Sequence, residues 1–290
     1  MKKTTLLVIM FAVIQLSMVA QKLYFKGQIG YDFGFLKSQM DLNSYNIVDY
    51  YDSTTSSGSY QSCKNSYATG ISFNAGLGIM LNKYLGVELT GYYTGCREQK
   101  FGTEISVQDV DGYHFNTNGD LTEKGSSYGL KPSLTFTLPG KELRPYTRIG
   151  TVLSFIKMNE TMKMNGYTNN PNYIPYDGID YTLQYKMRLS VGVNAALGME
   201  YMIMDRMWLF AEVEGNIVNY IPVSATFTNY VVSRQDVTDK LTVHEREINF
   251  VKSYSDADNK SANEPTKMLP VHYSFSSIGI NFGLKYTLFD

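Results

Sequence analysis

Eleven ionisable side chains stand out by position, because they recur on alternate residues of apolar-polar stretches: Lys26, Asp32, Glu88, Lys131, Arg144, Arg148, Arg188, Glu200, Glu212, Glu214 and Lys285. If those stretches enclose a space, six cations face five carboxylates in it, and buried charges persist only when paired and hydrogen-bonded. The chemistry such a set favours is a salt-bridged plug. Catalytic arrangements are weaker. His114, His244 and His272 all fall in stretches that read as loops, and none stands beside a nucleophile and an orienting acid. Gly76-Leu77-Gly78 lacks the context of a phosphate loop, and the acidic runs at 109–112 and 256–259 lack the full ligand series of a calcium loop. Nothing in these residues calls for a cofactor or a metal.

The elements that must position the charges are strands, since the apolar residues repeat with a period of two. Leu23, Phe25, Ile29, Tyr31, Phe33 and Phe35 alternate with Lys26, Gln28, Gly30, Asp32 and Gly34. The same alternation is expected over 70–81, 85–93, 128–138, 143–155, 188–201, about 208–217 and 276–289. Pro132 and Pro145 mark irregularities, because proline cannot donate to a ladder. Short links (82–84, 139–142 and 203–207) alternate with long polar ones (37–68, 95–127, 157–186 and 219–274). Aromatic residues gather near both ends of the strands, with Phe25, Tyr84, Phe136, Tyr201, Trp208 and Tyr286 toward the turns and Phe33, Phe35, Tyr93, Tyr128 and Phe155 toward the loops. Two interfacial girdles of a membrane-spanning sheet have that distribution.

Composition narrows the class. The first 20 residues have a basic head, an apolar run and a small residue before Gln21, the pattern of a secretory signal peptide, leaving 21–290 as one domain. Formal net charge is −1, so no nucleic-acid surface is implied. Mean hydropathy is −0.21 and no later apolar run reaches the length of a spanning helix. The 24 tyrosines, against a single tryptophan, suit strands and adaptable loops.

The last stretch, SSIGINFGLKYTLF, places Asn281, Gly283, Tyr286 and Leu288 in a polar-x-Gly-x-x-apolar-x-apolar order, followed by Phe289. This ending resembles that of bacterial outer-membrane β-barrel proteins. The chain as a whole is similar to the small barrels of OmpA- or OmpX-like architecture that are numerous in Bacteroidetes. The resemblance implies a closed, eight-stranded, antiparallel up-and-down transmembrane β-barrel with long extracellular loops and periplasmic termini, in the outer membrane of a Gram-negative bacterium. It also implies a monomer with outer-membrane lipid around it, and recognition of the C-terminal signal by the barrel-insertion machinery. Asp290, after the aromatic that usually closes such chains, is the one departure.

Closure would make Lys26 and Lys285 neighbours across the seam. Cys63 and Cys96 fall on the loop side. An exported compartment permits a disulfide between them, but a regular hairpin leaves them several residues out of register, so a bond requires the first loop to fold back. The tyrosine-, asparagine- and serine-rich loops are solvated connections or a binding surface for an extracellular protein or glycan. Pairing of 223–232 with 243–251 would extend the last loop as a hairpin or raise the count to ten strands. The reading is a structural or loop-binding surface protein. A narrow porin-like channel for small solutes is second and a barrel enzyme third.

Overall fold

In a computed structural model, the described residues are 22–35, 38–39, 53–58, 64–109, 114–168, 178–255 and 261–288. The expected signal peptide, Cys63 and Phe289 lie outside them. Eight strands form the ring: β1 (Lys22–Gly34), β2 (Gly70–Met80), β3 (Leu85–Cys96), β4 (His114–Thr137), β5 (Leu143–Thr168), β6 (Ile179–Met204), β7 (Met207–Ile217) and β8 (Ser277–Thr287). Each pairs antiparallel with its sequence neighbour, and β8 pairs with β1 to close the barrel. The seam runs from Tyr24 opposite Thr287 to Gly34 opposite Ser277, and sets Lys26 opposite Lys285.

Local chemistry explains the turns and one weak point. The Asn82 side-chain oxygen accepts from the backbone N–H groups of both Tyr84 and Leu85 at 2.8 Å, an Asx turn that starts β3. Arg206, in the β6–β7 turn, takes a left-handed φ of 69°. The β4–β5 ladder passes from Leu130–Leu153 to Ser133–Gly150 without pairing Lys131 or Pro132, because Pro132 has no N–H to give. Gly150 lies against that gap, and a Cβ there would meet the Pro132 carbonyl oxygen at 2.3 Å.

Polarity inverts along the longest strands. On the lower part of β5, toward the turns, Ile149 and Phe155 point outward and are more than a third exposed, while Arg148 points inward and is fully buried. From Lys157 the outward face becomes polar (Lys157, Asn159, Thr161, Lys163), and the inward face becomes apolar with Met158, Met162 and Met164 buried. The same switch occurs on β4 above Tyr128 and on β6 at a bulge between Tyr185 and Arg188. Below the switch the barrel is apolar outside and charged inside. Above it lies an ordinary interior-core β structure, with Phe101, Leu121, Ile156, Leu183, Tyr220 and Phe275 in its core.

That upper structure revises the loop expectation. Much of 95–127 and 157–186 is strand: a hairpin of Gln99–Asp109 with β4, and the extensions of β5 and β6. In the last connection Ser224–Val232 pairs with Glu247–Phe250, while Val243–Arg246 is a helical turn capped by Thr242 rather than strand. These segments extend the sheet above the ring, which keeps eight strands.

Gly150→Ala should cost about 1–3 kcal/mol, the usual range for overpacking. Gly91→Ala, whose new methyl would meet nothing closer than 3.7 Å, should fall within about 0.5 kcal/mol of wild type in the same urea titration.

Candidate functional site

The lumen is the site, and its geometry follows from which charges the register brings together. Arg148 on β5 is its hub. One guanidinium nitrogen donates to Glu88 Oε1 at 2.7 Å and the other to Glu212 Oε1 at 2.8 Å, with Glu214 Oε2 at 3.5 Å. Lys26 reaches the same Glu88 oxygen at 2.7 Å, and Lys131 reaches Glu214 at 2.6 Å. Three cations thus stand against three carboxylates from five strands, and all six are nearly or fully buried. The remaining carboxylate lone pairs are filled by neutral donors. Tyr24 donates to Glu88, Tyr146 and Gln28 donate to Glu212, and Asn194 and Asn281 donate to Glu214. Hydrogen bonding this dense is what lets charges remain inside a low-dielectric space, although the buried Arg148 Nε–H finds no acceptor among the described residues.

A second layer lies nearer the turns. Lys285 pairs with Glu200 at 2.8 Å and sits over the Tyr24 ring at 4.1 Å. Arg144 is placed differently from the plug expected of it: it is half-buried, donates from Nε to the Gly140 carbonyl at 2.9 Å, and stacks on Trp208 at 3.8 Å. Trp208 therefore points into the barrel and leaves the turn-side girdle, because its register partner Lys285 fixes it on the inward face. Beneath these groups a vestibule of about 220 Å³ opens toward the turns and ends at Glu200 and Lys285.

Toward the loops, Asp32 is buried and accepts from the Thr94 hydroxyl at 3.3 Å, with no ion pair among the described residues. Arg188 leaves the expected network altogether. It keeps the register of the inward face, opposite Ile156, but lies next to the bulge against β5 and is exposed, with no ion pair among the described residues. Between Asp32 and the aromatic core is a cavity of only about 20 Å³, lined by Tyr92, Ser127, Lys131 and Phe275 among others, enough for about one water. Cys96 is a free, buried thiol beside it, and Cys63 lies outside the described residues.

Above the cavity is a cluster that the alternation did not single out. Glu123 on β4 stands directly opposite Glu160 on β5, and both are fully buried. Tyr67 donates to Glu123, Tyr181 and Tyr185 donate to the two oxygens of Glu160 at 3.0 and 2.9 Å, and Tyr273 donates to the Tyr185 hydroxyl at 3.0 Å. Burial above all, and then the facing Glu160 carboxylate, push Glu123 up to about 8 against the opposing effect of the Tyr67 hydroxyl. The cluster ties the first connection, β4, β5, β6 and the last connection together. These residues sit in stretches that read as loops, so only a correct extension of β4 and β5 would have shown both acids on the inward face. The neutral donors Tyr24, Tyr146 and Asn194 were legible in principle, since each shares the parity of the lumen charges.

Of the C-terminal residues, Asn281 points inward to Glu214 at 2.9 Å, while Tyr286 and Leu288 point outward. Gly283 packs so closely that a Cβ would lie 2.2 Å from the Gly27 carbonyl. The histidines are dispersed: His114 opens β4, His244 is in the helical turn and His272 precedes a short strand.

No family model matches the chain, and no curated protein matches it either. Among solved structures it is similar to the outer membrane protein OprG of Pseudomonas aeruginosa, with 12% identity, 93% of this chain and 97% of that chain covered, and a TM-score of 0.41. The N-terminal β-barrel domain of Pseudomonas aeruginosa OprF gives 11% identity, 93% and 99% coverage, and a TM-score of 0.30. Ail, the attachment invasion locus protein of Yersinia pestis, gives 10% identity, 92% and 99% coverage, and a TM-score of 0.32 in complex with the heparin analogue sucrose octasulfate.

Arg148→Met should destabilise the folded barrel by about 3–5 kcal/mol, because three carboxylates lose their shared cation while staying buried. Arg148→Met combined with Glu88→Gln and Glu212→Gln should recover much of that loss in the same denaturation experiment. The cap should respond to pH with a definite sign. An unfolded glutamate titrates near 4, whereas Glu123 titrates at about 8. Its contribution is therefore fully present below about pH 4 and lost as pH rises to about 8. Hydrogen exchange around Glu123 and Tyr67, corrected for intrinsic rates, should be several-fold slower at pH 5 than at pH 8.5, and Glu123→Gln should abolish the difference.

Proposed function

We propose that the chain is an integral outer-membrane barrel with a sealed lumen, and that its working surface is the β structure beyond the membrane. The observation that carries this reading is the filled interior. The Arg148 network draws on five strands across the bore, the cavity between it and the cap holds about one water, and the turn-side vestibule is lined at its inner side by the paired Glu200 and Lys285. An eight-stranded ring leaves room for side chains and little else. The outward belt supports lipid contact. Leu197 is 69% exposed on β6, and Ile29, Phe73, Val213 and Phe282 are each more than half exposed on other strands. In water such a continuous apolar surface would drive association.

The termini are assigned to the periplasm and the long connections to the cell exterior, since short turns face the periplasm in barrels of this type. The role is then structural, or one of binding an extracellular protein or glycan through the raised sheet and its connections, by a monomer that outer-membrane lipid surrounds. Support comes from the packing of that region. Its aromatic interior includes Tyr67 edge-on to Tyr273 at 5.4 Å and Tyr181 stacked on Tyr230 at 6.3 Å, so its outer residues are held in place.

Three measurements test the reading. Leu197→Arg should cost about 2–4 kcal/mol in liposomes, as expected for a cation at the bilayer midplane, and a negligible cost would mean that this face does not meet lipid. Folded protein in planar bilayers should give no reproducible unit conductance; a steady one would replace the sealed barrel with the porin-like channel. Cells carrying a form with the β7–β8 connection shortened should adhere less to host protein or glycan surfaces than cells with the full chain. Equal adhesion would remove the binding role and leave the structural one.

A further inference from the structure

The polarity switch leaves an unbalanced patch on one side of the barrel. Just above the outward aromatic pair Tyr128 and Phe155, whose rings stack at 5.8 Å, come Lys157 on β5, Lys124 on β4 and Lys186 on β6, all exposed. The bulge in β6 sets Lys186 and Met187 together against Lys157. Tyr128 donates its hydroxyl to the Met187 sulfur at 2.9 Å, which fixes the floor of the patch.

Two features separate this from scattered surface lysines. The outward positions of the three strands at this level are Thr122, Lys124, Ser126, Lys157, Asn159, Thr161, Thr182, Gln184 and Lys186, and no carboxylate is among them. Lys163, by contrast, stands opposite Asp120 on one side and Asp180 on the other. Second, none of Lys124, Lys157 and Lys186 forms an ion pair among the described residues, and Lys157 stands against the bulged Lys186, where like charges destabilise a sheet. Elsewhere at this level, β1, β7 and β8 carry Phe33, Ile217 and Ile278.

We propose that this patch binds the phosphate headgroups of membrane lipid in the outer leaflet. The patch is continuous with the lipid-facing belt, and its cations lie just outside the aromatic girdle, where headgroups begin. Cations so placed attract anionic lipid by a few-fold each. A phosphate shared between Lys157 and Lys186 turns their repulsion into a bridge. The inference rests on the barrel lying in a membrane.

The full folded chain in detergent micelles is exposed to dioleoyl phosphatidic acid or dioleoyl phosphatidylcholine, and bound lipid is counted by native mass spectrometry. Insertion into liposomes is verified first by heat-modifiable electrophoresis; failure there overturns the membrane reading itself. For inserted protein, a preference for phosphatidic acid on the order of tenfold is expected. It should fall to parity in the Lys124→Gln, Lys157→Gln, Lys186→Gln variant and persist in Lys163→Gln. Parity in the wild type, or a preference that survives the threefold variant, overturns the patch. Binding of glycerophosphate as tight as that of phosphatidic acid would make the occupant a soluble anion and overturn the lipid assignment.

Discussion

A closed backbone ladder is the constraint on which the rest of this structure depends. In a lipid phase an unpaired N–H or C=O costs several kcal/mol, so a spanning sheet must have no edge. The β1–β8 seam provides that closure over its whole length. Closure then dictates sidedness. Every second residue faces lipid and every other one faces a bore too narrow for bulk water, so the charges on the inward face must find partners there. Arg148 answers this requirement by serving three carboxylates at once, while Tyr24, Tyr146, Gln28, Asn194 and Asn281 fill acceptor positions that water would otherwise occupy.

The boundary of the membrane is written in the same strands. Phe155 and Lys157 are consecutive outward residues of β5, yet one belongs to the apolar belt and the other to water, and the inward face changes character at the same level. A single strand can serve two solvents because its backbone pairing is indifferent to which face is apolar. The bulge at Tyr185 and Arg188 falls at this boundary, and it changes which side chains of β6 meet the outside. Bulges commonly re-aim side chains in this way.

The lumen is therefore sealed twice by different physics. Below, the seal is ionic and paired. Above, it is aromatic, with one pair of facing acids, Glu123 and Glu160, held by tyrosine hydroxyls. A network of paired opposite charges has no reason to open. A pair of like acids in an apolar core has one, since ionising both at once is unfavourable.

The sequence alone determined the class of this protein. Period-two alternation, alternating short and long links and the ending from Asn281 to Phe289 were sufficient for an eight-stranded barrel, because sidedness in a sheet is a local property. The inward parity of Lys26, Glu88, Arg148, Glu212, Glu214 and Lys285 was legible for the same reason. Tertiary structure alone decided which charges meet. Pairing depends on register between strands far apart in the chain, and it joined Arg148 to Glu212 while leaving Arg144 on Trp208 and Asp32 on a hydroxyl. It also decided where the strands end. Above the membrane the apolar face turns inward, so the polar outward residues of β4, β5 and β6 read as loop, and Glu123 and Glu160 stayed hidden within them. Arg188 keeps its inward register opposite Ile156 but is exposed beside a one-residue bulge, and that bulge shifts the parity of Tyr185 and the residues before it with nothing local in the sequence to mark it.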